Sequence, residues 1–153
     1  MPKQSAGILL YRKTAGQLEF LLVHPGGPFF KNKDAGAWSI PKGEFTDDEN
    51  ALTAAKREFK EETGHAVDGD FMPLTSVKLK SGKTVQAWAL EGDIDAGKIT
   101  SNSFEIEWPP KSGKMQAFPE IDRAGWFGFE EAINKINPAQ AGFVEELVKM
   151  IIG

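Results

Sequence analysis

One segment constrains this chain more than any other, because it combines an amphipathic helix with a dense set of acidic side chains. Residues 43–64 read GEFTDDENALTAAKREFKEETG. At about 100° per residue, Glu58, Glu61 and Glu62 fall on one arc of a helix. An apolar stripe lies beside that arc and consists of Leu52, Ala55 and Phe59. The fold must therefore bury one face of this helix and leave the adjacent edge to carboxylates.

The three carboxylates have spacings of i, i+3 and i+4, at which like charges repel by a few tenths of a kcal/mol, roughly. A bound cation would offset that repulsion. Oxygen ligands in a chain with no cysteine favour a hard cation, Mg²⁺ or in its place Mn²⁺, completed by phosphate oxygens of a substrate. The alternative for an acidic run of this kind is a solvated helix face.

The full pattern resembles the Nudix box, G-x5-E-x7-R-E-U-x-E-E-x-G-U, in which U is a bulky apolar residue. The matching residues are Gly43, Glu49, Arg57, Glu58, Phe59, Glu61, Glu62 and Gly64. His65 stands where the family has its last apolar residue, and we interpret it as a packing or surface variant. The resemblance implies an α/β fold, the Nudix fold, which is an α/β/α sandwich with a mixed β-sheet.

The resemblance also implies a set of metal ligands. Glu58 and Glu62 would be the core ligands, Glu61 would be a further ligand or a catalytic base, and the backbone carbonyl of Lys42 would add an oxygen. The reaction implied by this set is hydrolysis, in which a metal-activated water displaces one side of a phosphoanhydride.

Glu49 and Arg57 would act by supporting the loop and orienting the carboxylates, as their counterparts do in the family. Thr46 and Glu49 also match a capping box, in which Thr46 caps the helix and Glu49 reaches back to a backbone amide. The sequence leaves both interpretations of Glu49 open. The helix is predicted to begin after Thr46 and to end at Gly64, whose lack of a Cβ suits a left-handed conformation.

The general base is predicted to be Glu120, which lies six residues before Trp126. That spacing resembles the position of a late loop glutamate in several Nudix proteins. The alternatives are that Glu120 is an exposed loop acid and that Glu61 is the base. Two further acidic residues, Glu105 and Glu107, are weaker candidates.

Substrate contacts are predicted from three short segments. Lys42 ends the run Trp-Ser-Ile-Pro-Lys, which with Ser5 resembles Nudix enzymes acting on dinucleoside polyphosphates and inositol diphosphates. Phe29 and Lys31 belong to a loop, residues 25–36. Its aromatic side chains could stack on a nucleobase, and its basic side chains could contact a phosphate. Trp108 lies among lysines in a second loop, residues 108–116. The competing prediction is that Phe29 packs on the core and that Trp108 is structural.

The overall pattern predicts one domain, residues 1–153, with the order strands, helix, strands, helices. The predicted strands are residues 5–12, 19–24, 71–79 and 84–91, and the predicted helices after the carboxylate helix are residues 129–136 and 139–151. We interpret the last helix as scaffold, capped by Asn137 and Pro138. His24 is predicted to be a hydrogen-bonded histidine at the end of a strand rather than a ligand.

The net charge of −4 argues against a nucleic-acid surface. The absence of cysteine and of any apolar run near about 18 residues predicts a cytoplasmic protein without membrane partners, monomeric or homodimeric. The predicted function is Mg²⁺-dependent hydrolysis of a nucleoside diphosphate-linked compound, a diadenosine polyphosphate or a nucleoside triphosphate. The alternatives are a diphosphoinositol polyphosphate hydrolase and a non-catalytic Nudix-fold module that binds nucleotides.

Overall fold

The computed structural model describes residues 3–152, which contain nine strands and three α-helices. The strands are β1 (Gln4–Thr14), β2 (Gln17–Pro25), β3 (Lys42–Phe45), β4 (Met72–Pro73), β5 (Val77–Lys78), β6 (Thr84–Glu91), β7 (Ser103–Glu107), β8 (Met115–Pro119) and β9 (Ile121–Phe127). The helices are α1 (Ala51–Thr63), α2 (Phe129–Lys135) and α3 (Ala141–Ile152). Within these residues, no helix combines the length and the hydropathy needed to cross a membrane.

The main sheet is mixed and has β1 at its centre. Strand β1 runs parallel to β6 and antiparallel to β2 and β3. The order across the sheet is β4-β6-β1-β2-β9, and β5 adds to β6. Strands β7 and β8 pair only with each other within residues 3–152, as a separate hairpin. The predicted α/β architecture with a mixed sheet is therefore confirmed.

Both faces of β1 are buried because its side chains are apolar on both sides. Ala6, Ile8 and Leu10 pack in one hydrophobic cluster with α1, whereas Leu9 and Tyr11 pack in another with α2 and α3. A strand buried on both faces reads as a continuous apolar run, as residues 6–11 do. The helices therefore cover the sheet from both sides, which confirms the predicted sandwich.

Helix α1 begins at Ala51, so the predicted start after Thr46 is wrong. The carboxamide oxygen of Asn50 accepts hydrogen bonds from the backbone amides of Leu52 and Thr53. The Thr46 hydroxyl instead donates to the Asp48 carboxylate, so the predicted capping box does not form. The other end agrees with prediction, because Gly64 has φ 80° and its amide donates to the Lys60 carbonyl.

Three further boundaries differ from prediction. The predicted strand 71–79 divides into β4 and β5, since β4 ends at a proline, which has no amide to continue the ladder. The predicted final helix begins later, at Ala141, after a 3-10 turn that Asn137 caps. The predicted loop 108–116 ends in β8, and strands β3, β7, β8 and β9 were absent from the sequence-based prediction.

Candidate active site

The segment before α1 is held against the sheet by a side chain far away in the sequence. The Gln140 side chain accepts a hydrogen bond from the Ile40 amide (3.0 Å) and donates one to the Ser39 hydroxyl (3.1 Å). The segment also packs closely against Gly7, where a Cβ would lie 2.6 Å from the Pro41 carbonyl oxygen. Residues 38–42 therefore enter β3 in a fixed position.

Gly43, the first glycine of the box, provides space for a carboxylate. A Cβ at Gly43 would overlap all three carboxylate atoms of Glu58. Glu58 is only 9% exposed, so its carboxylate has little room to move elsewhere. The glycine and the glutamate, 15 residues apart in the sequence, are thus one structural unit.

Arg57 binds three of the box glutamates. Its Nε and Nη2 donate to the two carboxylate oxygens of Glu49, both at 2.9 Å. Its Nη1 donates to Glu58 at 2.8 Å and to the Glu61 oxygens at 3.2 and 3.3 Å. The hydrogen bond from Arg57 holds the pKa of Glu49 below its usual range. Arg57 therefore links Glu49 to Glu58 and Glu61 through side-chain hydrogen bonds.

Glu62 receives a hydrogen bond from the backbone amide of Lys42, at 3.2 Å. Burial raises the pKa of Glu62 to about 8, with smaller contributions from the charges of Glu58 and Glu120. Burial also raises the pKa of Glu58, and the charge of Glu120 again contributes. The structure thus brings Glu120, from the junction of β8 and β9, near the glutamates of α1.

A cavity of about 280 Å³ opens beside these carboxylates. Its lining includes Phe30, Trp38, Lys42, Glu62, Glu120 and Gln140. Burial lowers the pKa of the Lys42 ammonium, and the positive charge of Lys83 lowers it further. A second groove, of about 520 Å³, lies between β1, β2 and α3, and its lining includes none of the predicted site residues.

The structure contradicts the predicted substrate contact of Ser5 and the alternative prediction that Phe29 packs on the core. Ser5 is fully buried in β1, so it has no accessible surface to offer a substrate. Phe29 does not pack on the core, because it is 62% exposed and meets Trp108 edge to face, with ring centroids 5.5 Å apart. Lys31 follows in the same loop and is also exposed.

Several residues that position the site were absent from the sequence-based prediction. Gln140 fell within a predicted helix, and nothing in the sequence marked it as a residue that positions the site. The backbone amide of Asn102 donates to the Glu61 carbonyl, and its carbonyl accepts from the Glu120 amide. His24 agrees with prediction as a hydrogen-bonded histidine, because its Nδ1 binds Asp122 (2.8 Å) and its Nε2 binds the Lys33 carbonyl (2.6 Å).

The carboxylates of α1 fit a divalent cation of the kind that the box implies. Among residues 3–152, no three histidine or acidic side chains enclose a metal site by themselves. Mg²⁺ does not need such an enclosure, because it retains waters and takes one or two carboxylates together with substrate phosphates. Glu58 is buried and Glu62 is half-buried, and burial raises the pKa of each carboxyl. A bound cation would compensate their negative charge.

Comparison with known proteins identifies the family. The model of the NUDIX domain matches residues 1–147, so the chain belongs to the Nudix family. The family prediction made from residues 43–64 is confirmed.

One curated relative matches part of the chain. The asymmetrical bis(5'-nucleosyl)-tetraphosphatase of Caenorhabditis elegans is 40% identical over 62 residues, which make up 40% of this chain and 41% of that protein. The chain thus aligns with about two-fifths of the length of this relative.

Solved structures share the fold. A binary complex of C. elegans Ap4A hydrolase has a TM-score of 0.63 at 24% identity, covering 98% of this chain and 97% of that one. The Nudix domain of Shewanella oneidensis NrtR, complexed with ADP-ribose, has a TM-score of 0.63 at 15% identity, covering 100% and 90%. At these identities the likeness concerns the fold alone.

Proposed function

We propose that this protein is a divalent-metal-dependent hydrolase that cleaves a phosphoanhydride bond in a nucleoside diphosphate-linked compound. The observation that carries the proposal is the gathering of Glu58, Glu62 and Glu120 beside a cavity that Lys42 also lines. Clustered carboxylates of one sign are costly to bring together, and a cation and an anionic substrate that share the cavity would offset that cost.

Each residue has a distinct role in this proposal. Glu58, Glu62 and the Lys42 carbonyl would hold Mg²⁺ or Mn²⁺, which would neutralise phosphate charge and lower the pKa of a water molecule. Glu120 accepts the proton of the attacking water, and Glu61 is the alternative base. Further stabilisation of phosphate charge comes from the Lys42 ammonium, a compact point charge.

Arg57 and Glu49 are positioning residues. Arg57 donates hydrogen bonds to Glu58 and to Glu61 and is itself held by both oxygens of Glu49. Partners that hold metal ligands in place typically contribute about 10- to 100-fold to activity. Their loss would therefore weaken the reaction without removing its chemical groups.

The substrate proposed first is a diadenosine polyphosphate, with a nucleoside triphosphate second. Partial identity to an asymmetrical bis(5'-nucleosyl)-tetraphosphatase supports the first. The cavity offers one aromatic wall, with Phe30 and Trp38, and one charged wall, with Lys42 and Glu62. This combination suits a nucleotide, whose base is planar and whose phosphates are anionic.

The test is a substrate panel in ¹⁸O-labelled water with Mg²⁺, read by mass spectrometry. The panel contains diadenosine polyphosphates, nucleoside triphosphates, ADP-ribose and diphosphoinositol compounds. We expect turnover of one class, and the position of the label shows which phosphorus atom water attacks. The Glu62→Gln variant should lose at least about 1,000-fold of that activity, as expected when several kcal/mol of metal-ion stabilisation is removed.

The matched control is Glu145→Gln, which changes an exposed carboxylate on α3 and should leave the activity unchanged. A fully active Glu62→Gln variant would overturn the metal assignment. Nucleotide binding by calorimetry without turnover of any compound, even with excess Mg²⁺, would overturn the hydrolase proposal in favour of a binding module.

A further inference from the structure

The β7–β8 hairpin stands beside the carboxylates as a unit of its own. Its base is fixed on one side by the Asn102 amide, which donates to the Glu61 carbonyl of α1. On the other side it meets two glycines of the loop 25–36. The Gly26 amide donates to the Glu120 carbonyl at 2.8 Å, and a Cβ on Gly27 would lie 2.8 Å from the Phe104 ring.

The same loop meets the hairpin again at its far end, through the contact between Phe29 and Trp108. Each hairpin strand has five residues, which span about 17 Å when extended. The tip therefore lies well away from the carboxylates at the base. Phe29 adjoins Phe30, which lines the cavity, whereas Phe29 and Trp108 do not line it. The loop 25–36 therefore connects the cavity with an aromatic pair that lies outside it.

The turn that follows Trp108 is held in one shape. The Glu107 carboxylate accepts hydrogen bonds from the Lys111 amide at 3.0 Å and the Gly113 amide at 3.1 Å. Lys111 has φ 63°, a conformation that is uncommon for a residue with a side chain. Backbone strain of this kind persists only where surrounding contacts impose it, and here Glu107 does so.

The two segments that carry the aromatic pair, residues 25–36 and 108–114, contain four lysines and one acidic residue, Asp34. Lys31 and Lys33 follow Phe29 in the loop, and the Lys33 ammonium lies 5.5 Å from the Phe30 ring. Lys111 and Lys114 are exposed in the hairpin turn, while the Glu107 carboxylate is engaged by backbone amides. Since the whole chain carries a net charge of −4, this local excess of lysine favours an anionic ligand.

From these contacts we propose that Phe29 and Trp108 form an aromatic platform that stacks the distal base of a dinucleoside polyphosphate. The intervening phosphates then extend from the platform to the carboxylates, past the lysines of the two loops. This inference rests on the proposed function, because it assigns the outer end of the same substrate. The platform explains why Phe29, a large apolar side chain, is exposed and lies against Trp108, the residue that precedes the fixed turn.

The experiment compares two ligands that differ only at the distal end: diadenosine tetraphosphate and adenosine tetraphosphate. Stacking of one base on an aromatic side chain typically changes affinity about tenfold or more. We expect Trp108→Ala to raise KM for the dinucleotide about tenfold with kcat nearly unchanged, and to alter KM for adenosine tetraphosphate less than twofold. Trp108→Phe should restore most of the lost affinity, because it retains a ring.

Two matched controls test whether any exposed apolar side chain would give the same result. Met115→Ala alters an exposed residue of the same hairpin, and Phe129→Ala alters an exposed aromatic residue on α2. Neither should change the ratio of the two KM values. Equal losses for both ligands in Trp108→Ala, or no loss for either, would overturn the platform.

A binding measurement separates this inference from the proposed function. With EDTA present, affinities for the two tetraphosphates are measured by calorimetry for wild-type protein and Trp108→Ala. If no compound on the panel is hydrolysed, the hydrolase proposal fails, yet a preference for the dinucleotide that disappears in Trp108→Ala still supports the platform. A wild-type protein that binds both tetraphosphates equally would overturn the platform even if hydrolysis is found.

Discussion

Two parts of the molecule flank the site, the helix wall and the hairpin wall, and different contacts hold each in place. The helix wall, α1 with residues 38–43, depends on side-chain charges, since Arg57 alone donates hydrogen bonds to Glu49, Glu58 and Glu61. The hairpin wall, β7 and β8 with residues 25–36, depends on backbone hydrogen bonds and on close contacts at Gly26 and Gly27. From the hairpin wall, Pro25 and Phe30 line the cavity itself. One wall concentrates carboxylates, and the other exposes aromatic rings and lysines.

The two walls therefore differ in how they affect the stability of the metal-free protein. Carboxylates that are shielded from water are unfavourable until a cation compensates them, so the helix wall lowers the stability of the metal-free protein. The exposed aromatic side chains of the hairpin wall carry no comparable electrostatic penalty. Substitutions in the helix wall should therefore alter catalysis and stability together, whereas substitutions at Phe29 or Trp108 should alter substrate affinity alone.

Among the substitutions that leave every charged group in place, Gly43→Ala is expected to have the largest effect, because it damages the helix wall. The added Cβ would occupy the position of the Glu58 carboxylate, and Glu58 is too buried to retreat. We expect kcat to fall about 100-fold or more, since misplacing a reacting group by about 1 Å has that effect. Steady-state kinetics with the best substrate of the panel measures it.

The control for this prediction is Gly142→Ala on α3, where a Cβ would meet nothing within 4 Å. Alanine favours helix over glycine, so this variant should keep full activity and unfold at the same or a slightly higher temperature. A near-normal kcat in Gly43→Ala would mean that the Glu58 carboxylate can move aside, which would contradict the inference drawn from its burial.

Glu120→Gln tests whether the hairpin wall also takes part in the chemistry. Glu120 follows β8 directly, yet its charge acts on the glutamates of α1. Loss of a general base typically lowers kcat about 100- to 10,000-fold, and we expect a loss of at least about tenfold. A smaller loss would move the role of base to Glu61 and confine the chemistry to the helix wall. The pH dependence of kcat, measured beside Glu145→Gln as a control, shows whether Glu120 or Glu61 acts as the base.

The helix wall was largely predictable from the sequence because its contacts are local. Arg57, Glu58 and Glu61 lie within two turns of one helix, so their spacing alone places them together. The start of α1 was the exception: both Thr46 and Asn50 are good capping residues, and only the folded loop shows that Asn50 is used.

The hairpin wall was not predictable, because its contacts join segments far apart in the chain. The alternation of Phe104 and Ile106 with polar residues is a strand signal that the sequence-based prediction passed over. No pattern, however, pairs Gly27 with Phe104, or Gln140 with Ile40, about 100 residues earlier. Ser5 shows a different limit of prediction from sequence. It matches a family position, but that match did not reveal that β1 buries it.

The smallest expected effect concerns stability and tests the electrostatic cost of the helix wall. Burial raises the pKa of Glu62 from 4.5 to about 8. Between these values the folded protein keeps a proton that the unfolded chain has lost, so the contribution of Glu62 to the free energy of unfolding falls as the pH rises. Glu62→Gln has no such proton to lose.

In EDTA, Glu62→Gln should therefore unfold at a higher temperature than the wild type near pH 8, and each kcal/mol of difference corresponds to about 3 °C for a chain of this size. Near pH 4.5 the two proteins should unfold at nearly the same temperature, because Glu62 is then protonated in the folded state. Differential scanning calorimetry at the two pH values gives the comparison, with Glu145→Gln as the control. Adding Mg²⁺ near pH 8 should stabilise the wild type more than the variant. Equal unfolding temperatures near pH 8 would mean that the helix wall carries no electrostatic cost, and the contrast between the two walls would then be one of chemistry alone.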